Sequence, residues 1–328
     1  MKYLSITLVG ILALAVGFFV GFHTGRQSPT PITGQAIRDN SGNYQFINPL
    51  IGFSLGPKTL FSKYTPLENE LTSYINSEKA VGDIASTSIY FRDLNSDEWT
   101  GVNEDAPYSP SSMLKVIVMM AYYSAAESNP AILNETFNYK PQYDSEQDFV
   151  PATPLTAGPQ TVQNLINNMI ITSDDDAYIS LVENDTQGKV AAVNTSLRLP
   201  SPTTNDISND YMSAHAYSLV FRALYNATYL SADDSEQALK LLTETTFNAG
   251  LIAGVPANTV VAHKFGERTQ LDTNGNLEYR ELHDCGIIYA PSNPYLLCVM
   301  TKGSDFTKLS AVIAHISSIT YNYVENKK

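Results

Sequence analysis

The sequence predicts an α+β protein in which an antiparallel sheet is flanked by helices and carries an inserted all-helical subdomain. Three observations lead to this prediction. β-Rich runs occur early and again late in the chain, and amphipathic helical segments lie between them. In addition, 43% of the 328 residues are hydrophobic, which allows a substantial core.

The predicted strands fall into an early pair and a later group of three. Residues 86–92 and 99–102 form the early hairpin, with a polar turn between them. The later strands are predicted at 259–262, 285–290 and 295–301. Asn274-Gly275 lies between the first two of these strands and is a hairpin signal, which indicates antiparallel pairing.

The predicted helices are recognised by their apolar periodicity. The clearest one has apolar side chains at i, i+3, i+4, i+7 and i+8, namely Val162, Leu165, Ile166, Met169 and Ile170. Further helices are predicted over 213–225, 231–243 and 305–323. The last of these is amphipathic, so we expect one of its faces to pack on the sheet.

Composition excludes several classes of function. The 33 acidic and 20 basic side chains give a formal charge of −13, which argues against nucleic acid as a partner. Five histidines are scattered without ligand-like spacing, so no metal and no cofactor are predicted. Cys285 and Cys298 would face each other in a hairpin that turns at Pro291-Ser292. They form either a disulfide or two separate buried thiols, and the sequence leaves both open.

The amino-terminal region predicts a membrane segment. Residues 4–22 carry no charge and are almost entirely apolar, which is about the length that crosses a bilayer. We therefore divide the chain into a membrane anchor or signal segment (1–26), a tether and lead-in (27–64) and a catalytic domain (65–328). The expected location is the cell membrane, single-pass, with the domain outside the cytoplasm. Secretion after signal cleavage is the alternative.

A lysine interrupts an otherwise apolar helix. Ser109-Pro110 is a helix-start signal, and residues 113–123 are apolar on every face except at Lys115. An unpaired buried ammonium costs several kcal/mol, roughly, so this lysine needs dedicated partners. Ser112 lies three residues earlier, on the same helix face, and would place a nucleophile beside a base. The bland interpretation is that Ser112 caps the helix and Lys115 extends to the surface.

Two further polar clusters each have a purely structural interpretation when they are considered alone. Ser173-Asp174-Asp175 follows the clearest helix directly, and by itself it would be a helix cap. His263-Lys264-Phe265-Gly266 lies in a predicted strand, and by itself it would be a solvated strand with one charge.

Taken in order, S-x-x-K, S-D-D and H-K-F-G resemble the motif set of the class A β-lactamases and related penicillin-binding serine enzymes. The flanking residues 108–118, 168–177 and 283–303 are also similar to that family. The resemblance covers the chain from about residue 65 to its end and implies a β-lactamase/transpeptidase-like fold.

The resemblance also implies roles. Ser112 would be the acylated nucleophile, Lys115 its proton acceptor, and Ser173 the relay to the leaving nitrogen. Lys264 would hold a substrate carboxylate by charge, with help from Arg268. Backbone N–H groups of Ser112 and Glu267 would form the oxyanion hole, where each donor is worth roughly 3 to 4 kcal/mol. Residues expected to contact substrate are Asp175, Phe265, Gly266, Glu267 and Arg268.

Three departures from the family pattern bear on function. Asp175 stands where the family has an asparagine, so a donor becomes an acceptor-only group. Phe265 stands where a Thr or Ser hydroxyl is usual. No Ω-loop glutamate motif is present to activate the deacylating water, and Asp206 and Asp210 are only weak substitutes because they more often serve as turn or cap residues.

The sequence therefore predicts a serine acyl-enzyme hydrolase that opens β-lactam amides through a serine ester. One alternative is a D-Ala-D-Ala peptidase that acts on peptidoglycan peptides. The other is a sensor that binds a β-lactam or cell-wall fragment without turnover. A competing motif at residues 52–56, G-x-S-x-G, is set aside because prolines flank it where a nucleophile elbow needs a strand and a helix.

Overall fold

The computed structural model describes residues 32–39, 42–57, 63–142, 149, 153–202 and 209–326. The strands in chain order are β1 Ile32–Arg38, β2 Leu50–Pro57, β3 Ser86–Asp93, β4 Trp99–Val102, β5 Pro107–Tyr108, β6 Thr136–Tyr139, β7 Gly158–Thr161, β8 Met212–Ser213, β9 Val260–Leu271, β10 Leu277–Tyr289 and β11 Tyr295–Gly303. The α-helices are α1 Thr65–Val81, α2 Leu114–Ser128, α3 Val162–Ile171, α4 Asp175–Glu183, α5 Lys189–Leu197, α6 Ala214–Tyr225, α7 Ala232–Leu242 and α8 Phe306–Glu325.

The centre of the fold is a five-stranded antiparallel sheet in the order β4-β3-β11-β10-β9. The predicted early hairpin is confirmed, because β3 and β4 pair directly. The three later strands are also confirmed, and β9 and β10 are longer than the predicted runs. The extra length of β10 includes buried Glu281, whose charge interrupts the apolar pattern.

Two hydrophobic cores lie on opposite faces of the sheet. Adjacent residues of β11 show the alternation, since Leu296 belongs to one core and Leu297 to the other. One core contains α1 and α8, including Leu71 and Ile313. The other contains α2 and the rest of the helical subdomain. The α+β architecture is therefore confirmed, with the helical insertion packed on a single face of the sheet.

The two cysteines are bonded to each other. Cys285 of β10 lies directly opposite Cys298 of β11 in the antiparallel register, and the two sulfurs form a disulfide. Of the two interpretations that the sequence leaves open, the disulfide is confirmed. It joins two central strands in the interior, where both residues are fully buried.

The segment predicted as a tether contains paired backbone. β1 and β2 form a two-stranded antiparallel sheet. The backbone N–H groups of Asn48 and Leu50 donate to the carbonyls of Tyr225 and Asn226 at the end of α6. Residues 52–56 lie wholly within β2, so the G-x-S-x-G motif has no strand-to-helix turn.

The predicted anchor, residues 1–26, lies outside the described residues. Within the part of the chain that the structure describes, no helix has both the length and the apolar character needed to cross a membrane.

A buried histidine ties the sheet to the start of α2. The Nε2–H of His283 donates to the Ser109 carbonyl at 2.9 Å, and its Nδ1 accepts from the Thr301 N–H at 3.2 Å. Both ring nitrogens are therefore satisfied only in the neutral form. Burial lowers the pKa of His283 to about 4. Ser109, predicted to cap the helix, serves instead as this acceptor, and the helix begins with a 3₁₀ turn that has no side-chain cap.

We predict that His283 makes folding stability depend on pH between about 6.5 and 4. In this window the unfolded chain protonates the imidazole and the folded chain does not, so stability falls as pH falls. The shift corresponds to roughly 3 kcal/mol at full effect. Chemical denaturation at several pH values should show a flatter profile for His283→Gln than for the parent chain. Parallel profiles for the two proteins would contradict this assignment.

Candidate active site

The predicted nucleophile lies in the short 3₁₀ turn that precedes α2. This turn spans Ser111–Met113, and the Met113 carbonyl accepts a hydrogen bond from the buried Tyr217 hydroxyl at 2.7 Å. Ser112 is only half-buried, and its side chain lines a cavity. The turn is therefore fixed from the protein side while the Ser112 hydroxyl stays accessible.

Strand β9 approaches this turn closely because it has a glycine there. A Cβ atom at Gly266 would lie 2.8 Å from the Pro110 carbonyl oxygen and 3.3 Å from the Met113 nitrogen. Both are backbone atoms that cannot rotate away. A side chain at this position would push β9 away from Ser112, so the glycine sets the distance between the two elements.

Lys115 is buried and surrounded by oxygen atoms. Its side chain is 2% exposed, and its Nζ lies 3.0 Å from the Ser112 Oγ. The same Nζ donates to the Ser173 carbonyl at 2.5 Å and lies 3.1 Å from the Ser173 Oγ. It also forms a 2.5 Å ion pair with the Asp175 carboxylate. The surface interpretation of Lys115 is therefore excluded, and the lysine joins the two serines.

Ser173 has a left-handed backbone conformation, and in this conformation both its carbonyl and its hydroxyl contact Lys115. Its φ angle is +60°, in the left-handed region, which costs roughly 1–2 kcal/mol for a residue with a side chain. Ser173 is not the helix cap, because the Asp174 side chain caps α4 by accepting from the Ala177 N–H. Asp174 is itself fixed by the Tyr139 hydroxyl at 2.9 Å. With its neighbour held in this way, both Ser173 oxygens meet Lys115.

Lys264 approaches the same hydroxyl from the edge strand β9. Its side chain is fully buried, and its Nζ donates to the Ser173 Oγ at 2.9 Å and to the Phe265 carbonyl at 3.1 Å. Burial and, secondly, the charge of Lys115 hold the pKa of Lys264 well below its ordinary value. Nearby carboxylates, Asp175 foremost, oppose this shift. Four predicted residues, Ser112, Lys115, Ser173 and Lys264, thus form one connected cluster.

A cavity of about 230 Å³ opens beside this cluster. Its lining residues are Ser111, Ser112, Leu114, Lys115, Asp175, Tyr178 and Glu267. Sequence reasoning identified four of these seven and missed Ser111, Leu114 and Tyr178. The position of Tyr178, one helical turn after Asp175 on α4, is the signal that could have identified it.

Two predicted substrate contacts lie elsewhere. Phe265 is 1% exposed, and its ring stacks on Phe247 at 4.2 Å between centroids, so it belongs to the core. Arg268 lies near Asp210 at 3.4 Å and Glu281 at 3.5 Å. Because both side chains are already engaged by the protein, the structure does not present them to the cavity as the sequence predicts.

Only one of the two weak candidates for a deacylation base, Asp210, lies within the described residues. Asp210 forms a 2.7 Å ion pair with Lys302 in addition to its contact with Arg268, so the protein already neutralises its charge. Asp206 lies outside the described residues. In the described ranges, no group of three or more His, Cys, Asp or Glu side chains is arranged to hold a metal ion.

The arrangement is suited to acyl transfer. The accessible Ser112 hydroxyl lies beside the buried Lys115 side-chain nitrogen. The Ser173 hydroxyl lies between Lys115 and Lys264 and is within hydrogen-bond distance of both. A proton that leaves Ser112 can therefore replace one that Lys115 passes to the Ser173 hydroxyl, so these three groups form a proton path.

Comparison with known proteins identifies a family and several solved structures with a similar fold. The model of the β-lactamase enzyme family matches residues 66–324. No curated protein matches the chain. Among solved structures, a PBP-A mutant in an acyl-enzyme complex with penicillin G superposes with a TM-score of 0.66 at 18% identity, covering 80% of this chain and 97% of that one. A β-lactamase from Xanthomonas campestris gives 0.65 at 16% identity, covering 79% and 98%, and one from Sphaerobacter thermophilus gives 0.65 at 17%, with the same coverage.

The fold and the cluster thus define a serine hydrolase of the β-lactamase-like group. Since the family model covers most of the sequence, the chain belongs to the β-lactamase enzyme family.

We predict that Gly266→Ala slows acylation of Ser112 by a β-lactam. The added Cβ meets two backbone atoms, and a displacement of about 1 Å at a reacting centre costs on the order of 10²-fold in rate. The measurement is the rate of covalent adduct formation. A thermal melt separates this effect from a loss of folding, which should be about 1–3 kcal/mol. An unchanged acylation rate would show that the close approach is irrelevant to the reaction.

Proposed function

We propose that the protein opens β-lactam rings through a covalent ester at Ser112 and releases the product slowly. The observation that carries this proposal is the pairing of an accessible hydroxyl with a lysine that is only 2% exposed, at 3.0 Å. Such a pair supplies both the nucleophile and its base.

The bond changes follow from the cluster. The Ser112 Oγ attacks the lactam carbonyl carbon, and its proton passes to Lys115. Lys115 is an ammonium paired with Asp175, so it gives one of its own protons through the Ser173 hydroxyl to Lys264, whose pKa is lowered by burial. The C–N bond of the ring then breaks. The Ser173 hydroxyl donates a proton to the departing nitrogen and recovers one from a neighbouring lysine. Lys264 contacts Ser173 directly, so we assign it the orientation of that hydroxyl and the proton supply to it.

The backbone N–H groups of Ser112 and Glu267 are proposed to form the oxyanion hole. Ser112 lies in the first turn of a helix, where unpaired N–H groups favour negative charge. The close approach of β9 at Gly266 supports the participation of Glu267, the next residue, which lines the same cavity.

We expect slow release of the acyl group because the carboxylates near the site are already engaged by other groups of the protein. The carboxylate of Asp175 is engaged by Lys115, and Asp210 is engaged by Lys302 and Arg268. The third carboxylate, Glu267, accepts a hydrogen bond from the Phe149 N–H at 3.3 Å. A carboxylate paired with a cation is a weaker base toward water. We therefore expect acylation to be faster than hydrolysis of the ester.

We also propose that the domain acts outside the cytoplasm, attached through residues 1–26. The support is the uncharged stretch at residues 4–22 together with the Cys285–Cys298 disulfide, since structural disulfides persist in oxidising compartments.

The test is intact-mass spectrometry of the full-length chain with benzylpenicillin over time. We expect an adduct of one drug molecule that decays over minutes to hours and then forms again while drug remains. Ser112→Ala should give no adduct. Ser111→Ala, a change of the same size in the same turn, should still form it.

Two other outcomes of this experiment would contradict the proposal. A permanent adduct would indicate a peptidase or a sensor in place of a hydrolase. No adduct on the parent chain would end the acyl-enzyme proposal.

A further inference from the structure

The two lysines of the site have different partners for their charge. Lys115 pairs with the Asp175 carboxylate at 2.5 Å. Lys264 is fully buried, and within the described ranges no carboxylate oxygen lies at ion-pair distance from its Nζ. Its oxygen contacts are the Ser173 hydroxyl at 2.9 Å and the Phe265 carbonyl at 3.1 Å. Because an ammonium has three N–H donors, these two oxygens do not satisfy all of them.

The ring of Phe265 lies next to the same nitrogen. The Lys264 Nζ is positioned over this ring, 4.2 Å from its centroid. A cation within about 6 Å of a ring centroid is attracted by the negative potential of the ring face, and the attraction is strongest where water is excluded. Phe265 is 1% exposed and Lys264 is fully buried, so water does not screen this contact.

A second ring fixes the orientation of the first. Phe247 stacks on Phe265 with 4.2 Å between centroids and 21° between ring planes. Phe149 contacts the Phe247 ring edge to face at 6.3 Å. Phe265 cannot turn its ring edge toward Lys264 without breaking the stack with Phe247. The face of the ring therefore stays directed at the lysine nitrogen.

The ring contact gains importance when Lys264 takes up a proton. Burial and, secondly, the charge of Lys115 lower the pKa of Lys264 in the resting cluster. In the proposed acylation, a proton from Lys115 reaches Lys264 through the Ser173 hydroxyl, so positive charge develops on the nitrogen that lies over the ring. An interaction that strengthens as charge develops lowers the barrier of the step that creates the charge.

We propose that Phe265 is a positioning residue whose ring face holds the Lys264 nitrogen and stabilises the ammonium that forms there during acylation. The inference rests on the proposed acylation of Ser112. It gives a role to the residue that stands where the family has a Thr or Ser hydroxyl. Phe265 acts through Lys264 and does not contact substrate, in agreement with its burial.

The test places phenylalanines with one, two or three ring fluorines at position 265 of the full-length chain by site-specific incorporation. Fluorine withdraws negative potential from the ring face while the ring keeps nearly the same shape. The measurement is the second-order rate constant for adduct formation at Ser112 with benzylpenicillin, followed by intact mass. We expect this rate to fall with each added fluorine, on the order of tenfold across the series.

The pH profile of the same rate separates charge stabilisation from packing. The charged side chains around Lys264 are Lys115 of α2, Asp175 of α4, Glu267 of β9 and Asp284 of β10, and none of them changes in this series. Lys264 accepts a proton only when it is neutral, so the rate rises with pH through its pKa. A fluorinated ring stabilises the ammonium less and lowers this pKa. We therefore expect the acidic limb to move to lower pH while the plateau falls. A packing defect alone would lower the plateau without moving the limb.

Phe91 provides a matched control. It is buried in the same core, where its ring neighbours are Tyr64 and Tyr295. Trifluorophenylalanine at position 91 should leave the acylation rate and its pH profile unchanged. Phe265→Leu, which removes the ring and keeps an apolar side chain, should slow acylation at least as much as the trifluorinated ring does.

The outcomes distinguish this inference from the proposed function. A rate and a pH profile that stay constant across the fluorinated series, with adducts formed, would overturn the role of Phe265 and leave the acyl-enzyme function intact. An equal loss of rate from fluorination at Phe91 would also overturn it. No adduct on the parent chain would mean that the proposed function has failed and that the inference falls with it.

Discussion

The burial of the Lys115 ammonium is the constraint on which the rest of the site depends. Residues 116–123 of helix α2 are all buried, so the lysine cannot leave the interior without exposing its neighbours. A buried ammonium with no partner costs several kcal/mol, roughly, and the fold supplies partners from two elements. Ser112 comes from the turn before α2, Ser173 from the residues that lead into α4, and Asp175 from the first position of α4. The packing of the helical subdomain thereby fixes the distance between nucleophile and base.

The sheet completes this arrangement from the other side. Strand β9 brings Lys264 against Ser173 and, two residues later, places Gly266 against the nucleophile turn. His283 holds the residues before the same turn by donating to the Ser109 carbonyl. In its neutral form His283 also accepts from the Thr301 N–H of β11. Because the turn is attached to both the sheet and α2, the position of the Ser112 hydroxyl depends on both. A displacement of either layer would change the site.

Sequence reasoning identified the parts of this protein that are encoded locally. Ser112 and Lys115 are three residues apart, and their apolar surroundings predict burial without any tertiary information. Strand β10 was only partly predicted, because buried Glu281, His283 and Asp284 break the apolar pattern. The pairing of Asp210 with Arg268 and Lys302 joins residues 58 and 92 positions apart, and no local pattern encodes it. The paired strands before residue 58 were missed because Ser, Pro and Gly in that segment resemble a linker.

The substitution that most distinguishes this site from its family is Asp175, and its consequence is electrostatic. An amide at this position would leave the charge of Lys115 unbalanced, and the cluster would present a net cation to an incoming carboxylate. The Asp175 carboxylate cancels that charge at 2.5 Å. Meanwhile the burial of Lys264 lowers its pKa and weakens the second cation. The site therefore retains two amines for proton transfer but gives up most of their attraction for anions.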